Sequence, residues 1–67
     1  MTTYRIDVKG PLPEGSAEEF PEMTVRATGG VTTLLGEIGD SAALYGLITR
    51  LESLGLVLIQ VLRNPAV

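Results

Sequence analysis

The sequence predicts a single small α+β domain, residues 1–67, with an antiparallel sheet carrying helix on one side. Three observations predict it. Residues 4–9, YRIDVK, and 23–28, MTVRAT, alternate apolar and polar side chains with a period of two, the pattern of strands with one buried and one wet face. Residues 40–56, DSAALYGLITRLESLGL, carry leucine and isoleucine at helical spacing between a start signal and a stop signal. After Gly55 the period changes again, and LVLIQVLR is dense in Val, Ile and Leu.

Each element has its own justification. In the first strand Tyr4, Ile6 and Val8 share one face, and Arg5, Asp7 and Lys9 the other. The following GPLPEGSAEEFPEM begins as a loop marked by Pro11, Pro13 and Gly15. Ser16 and Glu19 stand at capping-box spacing, which predicts a short helix over SAEEF, anchored by Phe20 and cut by Pro21. A structured loop would do the same packing. Glu14, Glu18 and Glu19 read as a solvated acidic helix start, favoured by the helix dipole, rather than as a metal site. The second strand turns Met23, Val25 and Ala27 inward. Gly29-Gly30 supplies a two-residue hairpin turn, and VTTLLGEI is its partner strand; the fuller glycine pattern and following helix of a phosphate loop are missing.

In the long helix, Asp40 occupies the N-cap position, and Leu44, Leu47, Ile48, Leu51 and Leu54 form one apolar stripe. Gly55 fits the left-handed position past the helix end. Gly46 costs about 1 kcal/mol relative to alanine; it is either a harmless exposed residue or a point of close approach by another backbone. In the last strand Val57, Ile59 and Val61 share the core face by simple alternation, and Leu56, Leu58, Gln60 and Leu62 the other. Asn64 and Pro65 end it.

Strand, short helix or loop, strand, strand, long helix, strand is the ferredoxin-like split βαβ pattern (β-α-β-β-α-β). It predicts a four-stranded antiparallel sheet in the order 4-1-3-2, with helices on one face and the first helix short or replaced by a loop.

The segment GEIGDSAALYGLITRLESLGLVLIQVLR resembles the C-terminal half of a family of small uncharacterised bacterial proteins. Their pattern runs G-P-hydrophobic-x-D-Q-A-A-L-H-G-L-L, then a charged stretch, then L-G-L-P-L-hydrophobic-S-V. The matching positions are Gly36, Asp40, Ala42, Ala43, Leu44, Gly46, Leu47, Leu51, Gly55, Leu56, Leu58 and Val61, within residues 34–63. Ser41, Tyr45 and Val57 depart from the usual Gln, His and Pro. The family has no known activity, so the resemblance implies a fold and no chemistry; the Tyr45 departure argues against proton chemistry at that position.

Composition narrows function further. The chain has no cysteine and no histidine, which excludes disulfides, thiolate or imidazole metal ligands and a Ser–His nucleophile. The net charge of −3 argues against nucleic acid and anionic membranes. An RNA-binding sheet would need aromatic residues on its open face, and the alternation places none there. The N-terminal MTTYRIDVKG lacks the apolar run of a secretory signal, and LGLVLIQVL is too short to cross a bilayer, so the expected location is cytoplasmic. No catalytic, cofactor-binding or metal-ligating residue is assigned, and no cofactor is expected.

The expected function is a non-enzymatic protein-interaction module working as a homodimer or higher oligomer. Its interface is assigned to Leu35, Leu56, Leu58, Gln60 and Leu62, because no Lys, Pro or bulge is expected to blunt the last strand between Leu56 and Leu62. A further protein partner is compatible with that surface. The alternative is an ACT-like small-molecule sensor binding a metabolite at a subunit interface, with Gly36-Glu37-Ile38-Gly39-Asp40 as its candidate segment.

Overall fold

The computed structural model describes residues 2–64. Its elements are β1 (Thr2–Lys9), a 3-10 turn (Ser16–Glu19), β2 (Met23–Thr28), β3 (Val31–Ile38), α1 (Ser41–Ser53) and β4 (Val57–Arg63). The strands form one antiparallel sheet in the order β2-β3-β1-β4. The fold is thus α+β, with a single α-helix among the described residues, packed across β3 and β4.

Local chemistry sets each boundary. Gly29 (φ 59) and Gly30 (φ 82) are both left-handed, as the β2–β3 hairpin turn requires. Asp40 caps α1, its Oδ1 accepting from the Ala43 N–H at 2.8 Å. At the other end Gly55 takes φ 87; its N–H donates to Glu52 O at 3.0 Å and the Leu56 N–H to Leu51 O at 3.3 Å. This reciprocal pair is a Schellman closure, which brings the residue after the glycine back against the last helical turn. Leu56 is accordingly buried, as is Leu51.

The core is Ile6 and Val8 of β1, Leu34 and Ile38 of β3, Leu51, Leu56, and Phe20 from the first crossover. Buried Thr32 satisfies its hydroxyl by donating to Gly10 O at 2.8 Å. Gly36 lets the crossover pass close to the sheet: a Cβ there would lie 2.6 Å from Glu22 O and 2.7 Å from Met23 Sδ.

Two sequence-based expectations are corrected. Ser16 does not form a capping box: Gly15 (φ 84) precedes the turn, no side chain caps it, and Ser16 is itself buried. With Pro21 close behind, the segment closes one 3-10 turn anchored by Phe20, so this crossover lays no second α-helix on the sheet. The second correction concerns β4. Asp7 pairs with Gln60 but Val8 pairs with Leu58, leaving Ile59 as an extra, bulged residue. The bulge inverts side-chain parity N-terminal to it. Leu58 therefore lies beside Val8 on the core side with Leu56, whereas Val57 and Ile59, expected inside, are 63% and 50% exposed.

Candidate functional site

Register places the open sheet face in rows running across the four strands. The central row is Arg26, Thr33, Asp7 and Gln60. One flanking row is Thr24, Leu35, Arg5 and Leu62; the other is Thr28, Val31, Lys9 and Val57. The outer rows share a chemical order of threonine, apolar, basic, apolar. Of the five residues assigned to an interface from the sequence, Leu35, Gln60 and Leu62 sit on this face. Leu56 and Leu58 do not, because of the Schellman closure and the bulge.

Asp7 is the centre of the face and is 3% exposed. Its Oδ1 accepts from the Thr33 hydroxyl at 2.7 Å and from Arg5 Nε at 3.2 Å, and its Oδ2 accepts from Gln60 Nε2 at 2.6 Å. Burial pushes its pKa up, but the hydrogen bonds from Gln60, Thr33 and Arg5, with the charge of Arg5, outweigh burial and hold it below the usual value. Every lone-pair direction used is directed at a neighbour within the sheet, so the carboxylate is a structural tie between β1, β3 and β4. Alternation alone places Asp7 on a wet face. The signal for its burial is the presence of Thr33 and Gln60 on the strands that flank it.

The edge strand β4 presents the second feature. Val57, Ile59 and Leu62 are exposed large apolar residues; Tyr45 of α1, at 66% exposure, is another on the surface. The bulge at Ile59 is one of the devices that blunt a sheet edge, and it is present here although β4 reads as unblunted in the sequence.

The third feature is a groove of about 580 Å³ on the helix side, between α1 and the crossover into β2. Its apolar lining includes Phe20, Met23, Ile38 and Leu47, and its polar lining includes Glu19, Glu22, Glu37 and Arg50. Glu37, Ile38 and Gly39 come from the segment singled out for a ligand in the sequence. Gly46 is part of the helix wall, and a Cβ there would meet nothing within 4 Å. Among the described residues no three carboxylates converge on a metal-binding position, and no helix is long and apolar enough to cross a membrane.

No curated protein and no solved structure matches the chain. A family model does match, over residues 3–62, from the first strand through the last. The chain therefore belongs to an uncharacterised family, a domain of unknown function (DUF8691).

Proposed function

We propose that this chain is a small, non-enzymatic, cytoplasmic interaction module that works as a homo-oligomer, meeting a second copy along the β4 edge. The observation that carries this reading is the gathering of exposed large apolar side chains, Val57, Ile59 and Leu62, on one edge strand. At 3.6 residues per turn, Tyr45 points to the flank of α1 opposite the one lined by Ala43, Gly46 and Arg50, and so toward the β4 side. The bulge interrupts a regular edge, so the reading rests the contact on these side chains, together with Leu35 and Gln60 of the open face, rather than on an unbroken backbone ladder. Two-fold pairing would cover the strip isologously.

The fold is read as a reduced ferredoxin-like unit. The β-turn-β-β-α-β element order and the antiparallel pairing of β1 with both β3 and β4 support that reading.

Sedimentation at micromolar concentration tests the function. The wild type is expected as a dimer or larger. The double substitution Val57→Lys and Ile59→Lys, at exposed positions, is expected to give a folded monomer. A wild type that sediments as a folded monomer throughout that range refutes the reading.

A further inference from the structure

We propose that the outer edge of β2 is a docking site for an extended segment of a partner protein, one that adds as a further strand and sets an acidic side chain opposite Arg26. The two edges of the sheet differ. β4 is broken by the bulge at Ile59, whereas β2 pairs with β3 in unbroken register from Met23↔Gly36 to Thr28↔Val31. β2 ends the sheet, and among the described residues no strand lies beyond it. Lysine, proline and a bulge are common devices against strand addition, and β2 has none of them between Met23 and Thr28.

Hairpin geometry fixes which backbone groups this edge offers. Gly29 and Gly30 are both left-handed, and a two-residue turn of that kind closes on a hydrogen bond between its flanking residues, here Thr28 and Val31. Bonding direction alternates along an antiparallel strand. Thr28, Arg26 and Thr24 therefore bond inward to β3, and Ala27, Val25 and Met23 face outward. Met23 agrees with this: its N–H donates away from β3, to Phe20 O at 3.0 Å. An incoming strand meets the N–H and carbonyl of Val25 and of Ala27, and the carbonyl of Met23. Added strands take affinity from such a row and specificity from the side chains beside it.

The side chains select the occupant. On the helix side α1 lies over β3 and β4, and Met23 and Val25 are only half-buried, so apolar residues of an added strand would extend the core cluster against which these two pack. On the open face Arg26 is exposed between Thr24 and Thr28, and among the described residues no ion pair engages it. A second copy of β2 is the poorer fit. With like faces kept together, the two-fold registers of greatest overlap centre on Val25 or on Arg26. The first sets Arg26 diagonally across from its copy, and the second sets the two guanidinium groups directly opposite, where like charges are destabilising. An acid opposite Arg26 makes an attractive pair in the same place. This edge is on the far side of the sheet from β4, so the proposal stands or falls independently of the homo-oligomer reading.

The test uses ¹⁵N-labelled protein titrated with the peptide acetyl-Thr-Val-Glu-Val-Thr-Val-amide. Laid antiparallel to β2, it sets valines beside Met23, Val25 and Ala27 and its glutamate beside Arg26. A second peptide carries lysine in place of the glutamate. The first is expected to give saturable amide shifts centred on Val25 and Ala27. The second should bind about fivefold more weakly, since an attractive cross-strand pair becomes a repulsive one. Arg26→Glu should reverse that order with the fold intact. Ala27→Pro removes an outward N–H at a position where an edge strand accepts proline, and should abolish the shifts; if that variant does not fold, the Arg26→Glu reversal decides. The proposal is overturned by no saturable shift up to about 5 mM, within the millimolar range of weak specific binding. An order of peptides that Arg26→Glu leaves unchanged, or a folded Ala27→Pro that binds like the wild type, overturns it too. Shifts confined to β4 amides would assign the peptide to the other edge, and shifts at Val25 and Ala27 that follow protein concentration without peptide would assign β2 to a second copy; either overturns it. Repeating the titration with the Val57→Lys, Ile59→Lys protein separates the two readings: binding at β2 should be unchanged there.

Discussion

Replacing Asp7 removes the acceptor at the centre of the open face. In Asp7→Ala the Thr33 hydroxyl and the Gln60 amide lose contacts of 2.7 and 2.6 Å, and Arg5 loses one of 3.2 Å. A hydrogen bond to a charged group contributes about 1.5–3 kcal/mol when sheltered. The Arg5 side chain is 44% exposed, so its share is a few tenths of a kcal/mol at most, as for surface ion pairs. Gln60 is exposed and recovers part of its loss from water. The expected cost of Asp7→Ala is therefore about 2–4 kcal/mol. Asp7→Asn should cost less, about 1–2 kcal/mol, because Gln60 can turn its amide over and offer oxygen to the new NH₂.

Urea denaturation measures both variants, and pH separates charge from shape. The folded pKa of Asp7 lies below 3.8, so its contribution is complete above that ordinary value and is lost as pH falls through the lower folded one. The gap between wild type and Asp7→Ala should be constant near neutrality and close progressively as pH drops below 3.8. An Asp7→Ala midpoint equal to wild type at neutral pH, or a gap that does not narrow in acid, would refute the reasoning.

Three further outcomes follow from packing. Gly36→Ala puts a methyl 2.6 Å from Glu22 O, so the crossover must shift; a loss of about 1–3 kcal/mol is expected by thermal or chemical melting, and an unchanged midpoint would show that the crossover yields freely. Leu51→Ala empties a site that is 1% exposed and should cost about 2–5 kcal/mol, whereas Leu47→Ala, at a half-buried groove position, should cost clearly less; the reverse order would mean that the helix face is misassigned. Asp40→Ala removes the N-cap contact of 2.8 Å and should lower stability by about 0.5–2 kcal/mol without changing the oligomeric state, both read from a urea melt and sedimentation.

Much of the fold is legible in the sequence because local signals agree with it. Alternation in YRIDVK and MTVRAT, paired glycines at the hairpin, and Asp40 and Gly55 at the helix ends each specify their element without help from distant residues. Phe20 is legible as an anchor because it is a large apolar residue, with Leu12 the other, in an otherwise polar crossover. The β4 assignments failed where alternation stopped being local: the extra residue at Ile59 is set by pairing with β1, and the burial of Leu56 by the Schellman closure, neither visible in a count of every second residue. The candidate groove is legible only in part. Its segment 36–40 and the oddity of Gly46 can be read from the chain, but that they meet Phe20 and Glu22 across a cavity depends on how the crossover lies over Gly36.

The position of β1 between β3 and β4 has a consequence for how the chain is made. Asp7 and Gln60 lie side by side yet are separated by 53 residues. During synthesis, one flank of β1 stays unpaired until β4 has left the ribosome, and the loop that must close to pair them spans most of the domain. Folding should therefore wait for β4 and then proceed in one cooperative step, at the slower pace of non-local pairing. Until then β1 and the β2–β3 hairpin pair only transiently, with β1 as an open edge, and the chain is at its most exposed to aggregation.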